Sequence, residues 1–299
     1  MTQNIATHYR RDIDGLRGIA VLLVVFFHAG LPVQGGFVGV DVFFVISGYV
    51  ITSLIVRELA EGSFSMPQFW ERRIRRILPA LSVVLVFVLV TTWMFYLPED
   101  FKQAGQSFLY QALMAANFYF RGNGDYFAPA AETKPLLHTW SLAVEEQFYL
   151  LFPLLLTFLV RSRPGTWLRW LWGIALGSLV IGIALSYSSH NQRAAFYLLP
   201  ARAWELLIGV LVAVYRGRFS ANKAAQEVSG FLGLALIGLA VLGFDGSTRF
   251  PGVAALAPCL GAGLIIASSD ARLSAVGRLL SWRPFVFIGL VSYPLYLWH

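Results

Sequence analysis

The chain has 299 residues, of which 57% are hydrophobic and only 13% charged. A soluble domain of that length needs more charge to cover its surface, so the composition excludes a soluble enzyme and indicates a polytopic membrane protein. The net charge of +7 is then that of basic loops on one side of a bilayer, and no nucleic-acid partner is expected.

Apolar segments fall near 17–34, 37–56, 77–97, 138–160, 168–187, 196–215, 226–243, 251–268 and 285–299. The expected fold class is all-α, a polytopic transmembrane helix bundle of about nine spans forming one domain over 1–299. The last span, SYPLYLWH, is cut short, so the domain reads as C-terminally incomplete. No cleavable signal pattern precedes the first apolar run. With the N-terminus in the cytoplasm, the inner segments 1–17, 57–76, 161–169, 216–225 and 269–284 hold 17 of the 23 Lys and Arg residues, and the outer segments hold five. That asymmetry orients the chain. Residues 100–122 are helix-like but polar at Lys102, Gln103, Gln106, Gln111 and Asn117. A span there would turn every later basic loop outward, so an outer amphipathic or re-entrant helix is expected. An irregular outer loop is expected over 123–137.

In the first span, Asp14, Arg17, Val21, Val24 and His28 recur at three- and four-residue spacing and share a face. Arg17 and His28 lie roughly 16 Å apart along the axis. Ionisable groups inside a bilayer are costly. Alone, Arg17 reads as an interfacial anchor and His28 as a packing residue; together they point to chemistry on something that reaches across the membrane. In the second span, GGFVGVDVFFVISGY, the glycines Gly35, Gly36, Gly39 and Gly48 permit close helix approach. Asp41 lies near the depth of His28 and needs a histidine or arginine partner. Ser47 is expected to bond its own helix backbone.

The inner loop FWERRIRRILP carries Arg72, Arg73, Arg75 and Arg76, two overlapping R-x-x-R pairs. Guanidinium forks suit phosphate groups, although anionic lipid would also account for them. The fourth span, LLHTWSLAVEEQFYLLFP, aligns His138, Ser141, Glu145 and Tyr149 on one face, with Glu146 about 100° away. Adjacent glutamates in a span need pairing or protonation. In the sixth, LLPARAWELLIG, Arg202 and Glu205 are spaced to form an ion pair within one helix, with substrate contact as the alternative. The single cysteine, Cys259, excludes an intramolecular disulfide. No P-loop, no Cys/His metal spacing and no G-x-S-x-G elbow occurs, so no metal cofactor is expected.

Taken in order, DGLRGIAVLLVVFFHA, GVDVFFVISGY, RRIRRILP, LLHTWSLAVEEQFYLLFP, LLPARAWELLIG and SYPLYLWH resemble the bacterial acyltransferase-3 family, integral membrane O-acyltransferases of the O-antigen acetylase type, from Asp14 to His299. The resemblance implies an enzyme of the inner membrane that takes an acyl group, most often acetyl, from cytoplasmic acyl-CoA. It delivers the group to a hydroxyl of a cell-envelope glycan on the outer side, lipopolysaccharide included. Members usually continue beyond this motif, some into a periplasmic SGNH-type domain. On this reading Arg17, Arg72, Arg73, Arg75 and Arg76 bind acyl-CoA. His28 acts as general base or forms an acyl-histidine, with Glu145 or Asp41 orienting it. His138, Ser141, Glu146, Arg202 and Glu205 are candidates for acceptor contact or structural pairing. A transporter or flippase of polysaccharide precursors is the alternative.

Overall fold

The computed structural model describes residues 9–123, 126–127, 133–219 and 222–299, with no strand among them. In chain order the helices are α1 (Arg11–His28), a 3-10 turn (Gln34–Val38), α2 (Gly39–Ala60), α3 (Met66–Phe95), α4 (Pro98–Ala112), α5 (Ala116–Asn123) and α6 (Thr139–Ser162). They continue with α7 (Trp167–Ser186), α8 (Gln192–Tyr197), α9 (Leu199–Val214), α10 (Lys223–Gly243), α11 (Leu256–Ser268), α12 (Ala275–Leu280), α13 (Arg283–Leu290) and α14 (Ser292–Trp298). The chain is a helical bundle. Of the loop expected over 123–137, residues 124–125 and 128–132 lie outside the described residues.

Six stretches are long and apolar enough to cross a membrane: Gln34–Ala60, Met66–Phe95, Thr139–Ser162, Trp167–Ser186, Gln192–Val214 and Lys223–Gly243. The other three of the nine expected spans are shorter or more polar. α1 carries Arg11, Asp12, Asp14 and Arg17 in its first half and stops at His28, where Gly30 turns the chain at φ +67°. α11 has 13 residues, about 20 Å against a hydrocarbon layer of about 30 Å. The segment 285–299 breaks at Val291 into α13 and α14.

The segment 100–122 differs from the single helix expected. α4 and α5 are separated by a turn in which Met114 has φ +56°. The turn has a physical purpose: it directs Asn117 inward, where its amide donates to the Tyr197 carbonyl at 3.0 Å and its Oδ1 accepts from Gln147 at 2.8 Å. A buried amide must find such partners.

Small residues set the helix contacts, as they do where hydrocarbon surrounds the bundle. A β-carbon on Gly48 of α2 would collide with the Leu206 carbonyl of α9, and one on Gly209 with the Val45 carbonyl. The two backbones therefore touch. Gly15 and Gly289 do the same for α1 against α12 and α13. Gly35, Gly36 and Gly39 also face neighbouring backbone, as expected. Outward faces are apolar: Val83, Phe87, Trp93, Val180, Leu239 and Leu242 are exposed on α3, α7 and α10. At the start of α1, Arg10 pairs with buried Asp12 at 2.6 Å and donates to the Ile266 carbonyl of α11 at 3.0 Å.

The up-and-down helix order gathers His28, the 34–38 turn, the start of α6 and the loops after α7 and α10 at one end. Aromatic contacts confirm this, with Phe37 and Phe250 rings 5.0 Å apart and Tyr126 and Phe196 rings 5.1 Å apart. The Arg72–Arg76 stretch lies towards the other end, with the close of α2.

Candidate active site

Helices α1, α2, α3, α6 and α14 surround an open cavity of about 100 Å3. Three guanidinium groups face it: Arg17 from α1, and Arg73 and Arg76 from one side of α3. The other two arginines of the loop motif do not. Arg72 pairs with Glu58 and Arg75 with Glu71, each at 2.8 Å. Arg72 and Arg75 are drawn aside by these carboxylates, which leaves Arg73 and Arg76 to the cavity. Arg17 donates to Ser292 Oγ at 3.1 Å and lies 3.8 Å from Asp14. Arg73 lies over the rings of Phe69 and Tyr149 at 5.9 and 5.7 Å, a placement that favours a cation.

Both glutamates of α6 line the same cavity. Glu145 accepts hydrogen bonds from the hydroxyls of Ser47 and Tyr149. Ser47 thus bonds across to α6 rather than to its own helix, because α2 presents it to the cavity. Glu146 Oε1 is buried and makes no hydrogen bond. The cavity therefore combines three cations with two carboxylates in a largely apolar shell.

At its far end the cavity meets Ser141 and Tyr296. Their hydroxyls are 2.6 Å apart, and Tyr296 also donates to the His138 carbonyl at 2.9 Å. From there a row of rings runs on. His138 is 5.0 Å from His299, and His299 is 4.8 Å from His28, between ring centres. His28 closes α1 and is exposed. Its Nδ1 lies 2.9 Å from the Val24 carbonyl and its Nε2 3.1 Å from the Tyr126 hydroxyl. A carbonyl only accepts, so Nδ1 carries the hydrogen and Nε2 accepts from Tyr126 in the neutral ring.

The expected partners of His28 are elsewhere. Glu145 belongs to the cavity, and Asp41 is sealed in a separate cluster. Asp41, Arg202 and Glu205 are at most 1% exposed. Arg202 Nη1 sits 3.2 Å from Asp41 and 2.9 Å from Glu205. The guanidinium is also enclosed by Phe44, Trp140, Phe196 and Phe250, with ring centres at 5.4 to 5.6 Å. Asp41 reaches Arg202 because the Gly48–Gly209 contact draws α2 against α9. Asp41, Glu205 and Cys259 form a group whose possible ligand atoms lie within 4.8 Å of one another. Arg202 already supplies the positive charge at that spot, which disfavours a metal ion there.

Sequence reasoning missed Tyr126, which lies in a loop without periodicity, and Cys259, which carries no pattern of its own. Tyr296 and His299 lay within the quoted motif SYPLYLWH, where their spacing of three was a usable signal.

The sequence model of a family described as an acyltransferase domain matches residues 10–299. The chain belongs to this family. Among relatives, an O-acetyltransferase OatA of Staphylococcus aureus is 34% identical over 310 residues, covering 97% of this chain and 50% of its own. A peptidoglycan O-acetyltransferase OatA of Listeria monocytogenes is 31% identical over 312 residues, covering all of this chain and 50% of its own. The chain thus spans about half the length of the curated relatives it matches. No solved structure matches it. The acyltransferase-3 resemblance of the motifs and the helical fold agree with this membership, which places the chain among multi-pass bacterial membrane proteins. The transporter alternative finds no support in the family or in these relatives.

Proposed function

We propose that this domain is the membrane-embedded part of an O-acyltransferase that carries an acetyl group from acyl-CoA to a hydroxyl of an envelope glycan. The observation that carries the reading is the link between two levels. Arg17, Arg73 and Arg76 converge on one cavity, and the Ser141–Tyr296 pair with the His138–His299–His28 rings leads from it to an imidazole at the other end. The three arginines suit the phosphates of the donor, with the thioester arm reaching towards His28. The excess of Lys and Arg in the loops at the arginine end supports a cytoplasmic position for that end and an outer one for His28.

His28 is the general base. Its Nε2 takes the proton of the acceptor hydroxyl as that oxygen attacks the thioester carbonyl. The carbon–sulfur bond breaks, and the leaving thiolate recovers the proton as free thiol. The orienting role expected of Asp41 or Glu145 passes to the Val24 carbonyl, which holds Nδ1–H. Glu145 instead fixes Ser47 and Tyr149 in the donor cavity. The name of the Listeria relative favours peptidoglycan as acceptor over the lipopolysaccharide of the first expectation.

The test is incubation of membranes containing the protein with acetyl-labelled acetyl-CoA and peptidoglycan. Label in the glycan is expected. Movement of glycan across the membrane without any dependence on acyl-CoA would overturn the reading.

A further inference from the structure

A second cavity, about 840 Å3, opens at the His28 end of the bundle between the loops that follow α7 and α10. It is separate from the arginine–glutamate cavity, and the two share no residue. Tyr126 forms part of its wall, and the hydroxyl of the same tyrosine is the one 3.1 Å from His28 Nε2. The cavity therefore borders the residue that touches the base.

Its chemistry differs from that of the donor cavity. Phe127 and Phe196 give it an aromatic wall, while Gln192 and Thr248 give it hydrogen-bonding side chains. Aromatic faces beside polar groups suit a molecule that is both ring-shaped and rich in hydroxyls. Arg193 and Arg249 are both exposed, and no aspartate or glutamate lines the cavity among the described residues. Arg249 lies over the Tyr187 ring at 4.7 Å, which holds the guanidinium without neutralising it. Where the donor cavity sets Glu145 and Glu146 among its cations, this one has no carboxylate among its described lining residues, and Asp245 beside it accepts from Ser247 and Thr248. A concave site lined by one sign of charge gathers ligands of the opposite sign.

We infer that this cavity is the acceptor site and that it selects a glycan carrying carboxylates, through Arg193 and Arg249. The inference rests on the acyltransferase reading and deepens it. The aromatic wall takes the apolar sugar faces, the two arginines take the carboxylates, and a sugar hydroxyl is brought to Tyr126 beside His28. Free phosphate or an anionic lipid headgroup would satisfy the arginines but would make no use of the aromatic wall.

The experiment uses the full protein in nanodiscs of zwitterionic phosphatidylcholine, so that anionic lipid is absent. Two probes are compared by microscale thermophoresis: a soluble amino-sugar tetrasaccharide bearing lactyl carboxylates, and the same tetrasaccharide with its carboxylates reduced to alcohols. The carboxylated probe is expected to bind at least tenfold more tightly. The double variant Arg193→Gln/Arg249→Gln is expected to bring it within about twofold of the reduced probe while leaving the reduced probe unchanged. Equal binding of both probes, binding of neither, selectivity that survives the double variant, or displacement of the carboxylated probe by an equal concentration of inorganic phosphate would each overturn the inference. Release of free CoA from acetyl-CoA is followed in parallel. CoA release without charge-selective binding rejects the acceptor site alone, whereas charge-selective binding without CoA release rejects the acyltransferase reading alone.

Discussion

Arg202 stands 3.2 Å from Asp41 on a neighbouring helix, inside a shell of four aromatic rings and out of reach of water. This contact removes Asp41 from the company of His28 and makes it part of the scaffold on which the site is built.

Breaking that cluster on one side strands charge. Arg202→Ala leaves Asp41 and Glu205 buried without a cation, and a loss of about 3–5 kcal/mol of stability is expected. The triple variant Asp41→Asn/Arg202→Met/Glu205→Gln removes all the charges together and is expected to be more stable than Arg202→Ala. Thermal unfolding in detergent compares the two. A single variant as stable as the unmodified protein would show that the cluster is not structural.

The arginine motif divides into two pairs with different expected behaviour. Arg73→Gln and Arg76→Gln each remove a cation facing the cavity, and a rise in KM for acyl-CoA of about tenfold or more is expected from the loss of a charge-assisted contact. Arg72→Gln and Arg75→Gln remove partners of Glu58 and Glu71. Exposed pairs of that kind are worth about 0–1 kcal/mol, so little change in KM is expected. Equal effects across the four would refute the division.

Tyr126→Phe keeps the ring and deletes the hydroxyl that meets His28 Nε2. One hydrogen bond of about 1 kcal/mol is lost, so a fall in kcat of under about tenfold is expected. Loss of the imidazole itself removes a general base, commonly about 10²–10⁴-fold. Steady-state kinetics of the two variants side by side checks the ranking.

At the α2–α9 crossing, Gly48→Val would drive a side chain into the Leu206 carbonyl. Overpacking of this sort costs about 1–3 kcal/mol, and a lower unfolding temperature and lower yield in the membrane are expected. A variant with unchanged stability would mean that the two helices can move apart freely.

The scaffold was legible where a single physical constraint governs. Charges in apolar segments announced Arg17, Glu145 and Glu146, because charge is costly there, and the R-x-x-R pairs of the inner loop announced Arg73 and Arg76 without separating them from Arg72 and Arg75. Spacing of three announced the Arg202–Glu205 pair, and small residues announced the Gly48 contact. What sequence did not give is the rotation of one helix against another. Asp41 and His28 lie at similar depth on consecutive helices, yet depth does not determine which way a side chain turns. The α2–α9 contact decides it in favour of Arg202. Tyr126 was hidden for a different reason: loop residues carry no period from which to infer a face. The three shorter helices, α1, α11 and the α13–α14 pair, were read as full spans because their apolar runs extend through turns that only the backbone reveals.

The central claim is that donor binding and proton removal occupy different levels of one bundle. Measuring acetyl-CoA affinity and acetyl transfer in the same preparation of His28→Ala tests it most directly. The account predicts affinity unchanged within about twofold and transfer reduced by about 10² or more. Transfer at the unmodified rate, or affinity lost in step with transfer, would contradict it.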